Sequence, residues 1–120
     1  MRIARLTLAG AVLLAVLAPA GAQEALPVLG QGNVPCSSWL ERRGANTNDE
    51  DTMTAWILGY MTAFNQYAAD PREDVSGGQD TAVLTGRIDE YCRENSTANL
   101  YQAAAALVAE LRQNMPGQTR

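Results

Sequence analysis

Two cysteines, Cys36 and Cys92, stand 56 positions apart and are the only ones in the chain. They lie behind an N-terminus that reads as an export signal. Arg2 and Arg5 supply positive charge, residues 6–18 are apolar apart from Thr7 and Gly10, and Ala20-Gly21-Ala22 is a small-x-small cleavage site. A membrane span needs about 20 apolar residues, whereas this stretch runs into Pro19 and Gly21. No cysteine stands at the cleavage point, which argues against a lipoprotein. Residues 1–22 are therefore expected to be a cleaved signal peptide, and the host is expected to be bacterial and the destination periplasmic. An even cysteine count in a small exported domain reads as a disulfide, and two cysteines allow one intramolecular pairing. Closing a loop of this length stabilises by about 4 kcal/mol in the ideal-chain model. That is a large part of the about 5–15 kcal/mol that holds a whole domain. A redox pair would want a Cys-x-x-Cys spacing and a neighbouring positive group; only the second condition is met, by Arg93.

Removing 22 residues from 120 leaves 98, enough for one domain with a modest core. The 9 basic residues are all arginine, and losing Arg2 and Arg5 leaves 7 against 13 acids, a net of −6. There is no histidine, hence no imidazole base or His-ligated metal, and no lysine for Schiff-base or P-loop chemistry. The acidic balance gives no electrostatic footprint for nucleic acid. The expectation is a protein that is not an enzyme, needs no cofactor or metal, binds no nucleic acid and is off the membrane once its signal is cleaved.

Residues 23–35 carry Pro27, Gly30, Gly32 and Pro35 without a period, and read as a flexible leader. Cys36, Trp39 and Leu40 lie at i, i+3 and i+4 on one face of a short helix that Gly44 ends. Thr47 and Glu50 then make a capping-box pattern, and Asp49, Glu50 and Asp51 put negative charge where a helix dipole favours it. Met53, Trp56, Ile57, Tyr60, Met61, Phe64, Tyr67 and Ala68 follow with helical spacing. No charge occurs between Asp51 and Asp70, so this helix is expected to be deeply packed or covered on two sides. An acidic loop, residues 70–80, contains Gly77-Gly78. A third helix of about 13 residues is expected from Asp80 onward, with Val83, Leu84, Ile88, Tyr91 and Cys92 as its stripe. A last helix is expected over residues 97–114, its core stripe carried by Leu100, Ala104, Leu107, Val108, Leu111 and Met115, and Pro116-Gly117 stops it. No stretch shows the alternation of a strand. The expected fold is all-α: a small helical bundle of three main helices plus a short N-terminal one over residues 36–115, with one disulfide and a tail over residues 116–120.

Candidate chemistry is sparse. The loop acids Asp70, Glu73, Asp74 and Asp80 fail the EF-hand template, because Arg72, Val75 and Thr81 fall where a ligand, a glycine and the closing glutamate are required. Asp89 and Glu90 are adjacent on a helix, so they point about 100° apart and do not form a facing pair. Without histidine, the net charge barely moves between about pH 8 and pH 5.5, then changes steeply as the 13 carboxylates protonate. Carboxylates paired with arginine stabilise the fold above their unfolded pKa and lose that effect as pH falls through the folded one. Acid is therefore expected to loosen the domain, with the bridge limiting how far it opens.

Cys36-Ser37-Ser38-Trp39-Leu40, the helix Ala55-Trp56-Ile57-Leu58-Gly59-Tyr60, the segment Ile88-Asp89-Glu90-Tyr91-Cys92, the stretch from Asn95 to Leu100 and the final amphipathic helix together resemble the HdeA/HdeB family of periplasmic acid-stress chaperones. The likeness runs from about Cys36 to Leu111, and the chain departs from lysine-rich members in having no lysine. The resemblance implies a small helical protein, dimeric near neutral pH, that dissociates and partly unfolds in acid. It then shields unfolded or acid-stressed periplasmic proteins from aggregation. Its disulfide would fall on Cys36 and Cys92. The client or dimer surface would be Met53, Trp56, Ile57, Tyr60, Met61, Phe64 and Tyr67. Small exported proteins of the Rap1a/Tai immunity type look similar, and would make the chain an interaction protein that meets a basic partner through its acidic loop.

Overall fold

The computed structural model describes residues 25–70 and 72–115. The expected signal peptide, the first residues of the leader and the tail lie outside the described residues. The fold is all-α, with helices α1 (Cys36–Arg42), α2 (Asn48–Ala63), α3 (Thr81–Glu94) and α4 (Leu100–Gln113). These are the short N-terminal helix and the three main helices read from the periodicity. Among the described residues the only extended pairing is one antiparallel bridge between Pro35 and Asn99.

Each of the three main helices starts where its sequence supplies a cap. Thr47 accepts from the Glu50 amide, Asp80 from the Val83 amide and Asn99 from the Gln102 amide. Such caps satisfy first-turn N–H groups that have no partner within the helix. The α4 cap is reciprocal, since the Gln102 side chain returns to the Asn99 amide at 3.0 Å. The expected box at Thr47 is only half made. Glu50 turns its carboxylate to the Gly44 and Asn46 amides, at 3.0 and 3.1 Å.

The disulfide joins Cys36 at the start of α1 to Cys92 near the end of α3, and both cysteines are fully buried. Around it α1 packs on α3, α3 on α4 and α4 on α2. Met53, Ile57 and Met61 of α2 meet Leu84 and Ile88 of α3 and Leu100, Leu107 and Leu111 of α4 in one core. The acidic loop contributes too. Val75 is buried in the same core, and its amide donates to Asn65 Oδ1 at 3.0 Å. The loop is thus pinned by its one large apolar residue rather than solvated along its whole length.

The leader also differs from its expectation. Gly30–Asn33 form a 3-10 turn that packs on α2 and α4. Gly30 adopts a positive φ of 66°, and a Cβ at Gly32 would run into the Trp56 ring and Val28. The glycines that make the sequence look unstructured are what let this strap lie against an indole. Beyond it, Val34 and Ala98 exchange backbone hydrogen bonds with Leu100 and Cys36, at 3.0 and 2.8 Å.

Candidate functional site

Two features stand out: a polar joint between α1, α2 and α3, and the uncharged outer side of α2.

The joint centres on Arg43, just past the end of α1. Its Nε donates to Asp89 Oδ1 at 2.8 Å, one terminal nitrogen to Glu50 Oε1 at 2.7 Å, and the other to Asp89 Oδ2 and Thr85 Oγ1 at 3.2 and 3.3 Å. The guanidinium carbon also stands 4.9 Å from the centre of the Trp39 ring. Trp39 is fully buried, and its indole N–H donates to Asp89 Oδ1 at 2.7 Å. The carboxylates of Asp89 and Glu50 are largely shielded, their side chains keeping 13% and 12% exposure. Arg42 and Asp49 make a looser, exposed pair beside them at 3.7 Å.

The hydrogen bonds shape the titration of this joint. The Gly44 amide, followed by the Asn46 amide and the Arg43 guanidinium, holds the Glu50 carboxyl below the ordinary glutamate range, against the opposing effect of burial. The Asp89 hydrogen bond leads in raising Arg43 above the usual arginine value. A carboxyl depressed in the folded state stabilises the fold above its unfolded pKa, and that contribution disappears as pH falls through the folded value. Asp74 behaves the same way, held low first by the Ser76 hydroxyl and then by the Ser76 amide and Asn65.

The outer side of α2 carries the residues expected to form a surface, and the structure divides them. Met53, Ile57 and Met61 are core residues in the folded chain. Trp56, Tyr60 and Phe64 are half-buried at the edge of that core, and Tyr67 is 90% exposed. Trp56 is covered by the strap, its indole N–H donating to the Leu29 carbonyl at 2.9 Å. It stacks on Tyr60, whose ring meets Tyr101 edge-on, both pairs at 5.8 Å. Tyr67 leaves the stripe because the helix widens. After Ala63 one π-turn, Phe64–Ala68, follows, and the Ala69 amide donates to the Phe64 carbonyl five residues back. Tyr60, Ala63, Phe64, Tyr67 and Ala68 line a shallow apolar cleft of about 220 Å³ there. The rest of the uncharged face, Ala55, Gly59, Thr62, Ala63 and Gln66, is exposed. One side of α2 thus packs in the core and a flank is covered by the strap, while the rest of its uncharged stretch faces solvent.

The acidic loop offers less free charge than its composition suggests. Glu73 pairs with Arg112 at 3.4 Å, Asp74 accepts from Asn65 and Ser76, and Asp80 caps α3. Among the described residues no three His, Cys, Asp or Glu side chains gather into a metal site, and no helix is long and apolar enough to cross a membrane.

Asp89 and Glu90 diverge as their adjacency demands, Asp89 toward α1 and Glu90 to solvent. The role of Asp89 escapes a reading of α3 alone. Its signal lies in the bridge: stepping three residues forward from Cys36 and three back from Cys92 brings Trp39 to Asp89.

No protein-family model, no curated protein and no solved structure matches the chain.

Proposed function

We propose that the chain is a non-enzymatic, acid-responsive chaperone of the bacterial periplasm. It is folded near neutral pH and is loosened by acid to offer apolar surface to acid-stressed periplasmic proteins. The observation that carries this reading is the joint at Arg43, where the half-buried guanidinium and the buried Trp39 indole both depend on carboxylates. Acid neutralises those carboxylates and leaves the apolar packing chemically unchanged, so the fold has a part that acid removes selectively.

In the folded form the surface is the uncharged side of α2 with Trp56, Tyr60, Phe64 and Tyr67, and a homodimer near neutral pH would use the same side. Met53, Ile57 and Met61 join that surface only when the core opens. Cleavage after Ala22 and export belong to this proposal, and neither a cofactor nor nucleic acid has a role in it. The immunity-type alternative depends on the acidic loop, whose Glu73, Asp74 and Asp80 are engaged within the chain.

The deciding measurement is light scattering of an aggregation-prone client at about pH 3, where most carboxyls are protonated. Suppressed scattering at near-equimolar protein is the expected outcome. Scattering unchanged by the protein ends the proposal.

A further inference from the structure

Five ion pairs are formed among the described residues, and three of them meet at one corner: Arg42–Asp49, Arg43–Glu50 and Arg43–Asp89. The other two stand singly, Arg87–Glu110 between α3 and α4 and Arg112–Glu73 between α4 and the acidic loop. The corner is also held by a short element. Helix α1 has only 7 residues, and of these Cys36 and Trp39 are buried. The first of them is fixed to α3 covalently. The second is placed by a hydrogen bond to Asp89 and by the Arg43 guanidinium over its ring.

We infer that Asp89 and Glu50 form an acid-released latch, so that acid opens the domain from the α1–α2 corner about the buried Cys36–Cys92 bridge and exposes Trp39 and Met53 first. This deepens the acid-opening reading above and rests on it.

Both carboxylates face Arg43. Asp89 is also met by the Trp39 indole, and Glu50 by the Gly44 and Asn46 amides. Arg93, one turn beyond Asp89 on α3, lines the same open groove as Asp89 with Arg87 and Glu90. Asp49 and Arg42 flank Glu50. Protonation of Asp49, Glu50 and Asp89 removes every ion-pair partner of two consecutive arginines. Arg42 and Arg43 stay charged at any accessible pH. An arginine that has lost its counter-charges in a half-buried site gains by moving to water. As Arg43 swings out it leaves the Trp39 ring, and the segment that follows, residues 44–47, loses the carboxylate that gathers its amides. The disulfide is indifferent to acid, so the Cys36 end of α1 cannot move away from α3 and the Arg43 end must. Met53 lies one turn beyond Glu50 on α2 and is therefore the nearest core residue on that helix.

Hydrogen exchange of the disulfide-bonded chain, read by mass spectrometry at about pH 3 and at neutral pH, tests the order of opening. After correction for intrinsic rates, peptides over residues 37–53 are expected to lose protection by about tenfold or more while α4 retains it. Loss of protection that begins in α4, or that is uniform along the chain, overturns the latch. The double variant Glu50→Gln, Asp89→Asn is expected to open the same segment at neutral pH and to shift the tryptophan emission to the red. A folded variant with the protection of the parent overturns the latch as well. If the variant does not fold, the pattern of the unaltered chain decides. Corner-first opening without client protection sinks the chaperone reading and supports the latch, and client protection with opening elsewhere does the reverse.

Discussion

Gly32 and Gly59 are both exceptions to helix or loop economy, for opposite reasons. Gly32 is buried under the Trp56 ring, where a methyl group has no room and the neighbouring atoms belong to an indole and Val28. Gly59 sits within α2 with open space where its Cβ would be. Gly32→Ala must therefore push the strap off Trp56, and overpacking of this kind costs about 1–3 kcal/mol. Gly59→Ala adds a methyl to an exposed helix position and removes backbone freedom from the unfolded chain, so it stabilises by about 0.5–1 kcal/mol. Urea unfolding followed by circular dichroism should move the midpoint down for the first variant and up for the second. A Gly32→Ala midpoint equal to that of the parent would show that the strap does not hold Trp56 in solution.

Among the helices, the boundaries show what periodicity can and cannot reach. The stripe Leu100, Ala104, Leu107, Val108 and Leu111 places α4 from sequence alone, because its apolar side chains repeat at helical spacing whatever they pack on. Its start is harder to see. Thr97 looks like a helix start, yet residues 95–98 close a turn, the Ala98 amide donating to the Asn95 carbonyl, and the helix begins only at Leu100, because the Ala98 carbonyl and the Leu100 amide are paired with Cys36 and Val34. That pairing is tertiary and has no local signature, although the Asn99-x-x-Gln102 box it leaves in place does. The same holds for Tyr67. Its spacing puts it on the α2 stripe, and a single wide turn carries it into solvent. Likewise Arg43 and Asp89 lie 46 positions apart, and only the bridge-fixed register of two antiparallel helices makes them neighbours. The cap at Asn99 can be weighed directly. Asn99→Ala leaves the Gln102 amide without its side-chain partner and ends the reciprocal bond, at a cost of about 1 kcal/mol. Thermal unfolding should show this loss with α3 intact. A change no larger than that of an exposed surface substitution would mean that the Val34–Leu100 bridge alone fixes where α4 begins.

The molecule as a whole combines a covalent tie that acid cannot touch with ionic ties that it can. Having no histidine, the chain has no side chain that titrates ordinarily between about pH 6 and 7. Its groups with depressed values, Glu50 and Asp74, are carboxyls. Both bind fewer protons folded than unfolded just below the ordinary carboxylate range, so stability is expected to be flat between about pH 5.5 and about pH 8 and to fall below about pH 4.5. A urea midpoint measured across pH should show that plateau and that fall; a transition centred between pH 6 and 7 would contradict the argument. Replacing both cysteines with serine adds a vertical shift to the same curve, because the bridge acts on the unfolded chain at every pH. The loop it closes predicts a loss of about 4 kcal/mol. With that tie gone, the pivot for α1 is gone too. In acid the cysteine-free chain should then unfold in one step that includes α4, whereas the bridged chain keeps α4 protected. If both chains lose α4 at the same pH, the bridge is not what confines the opening.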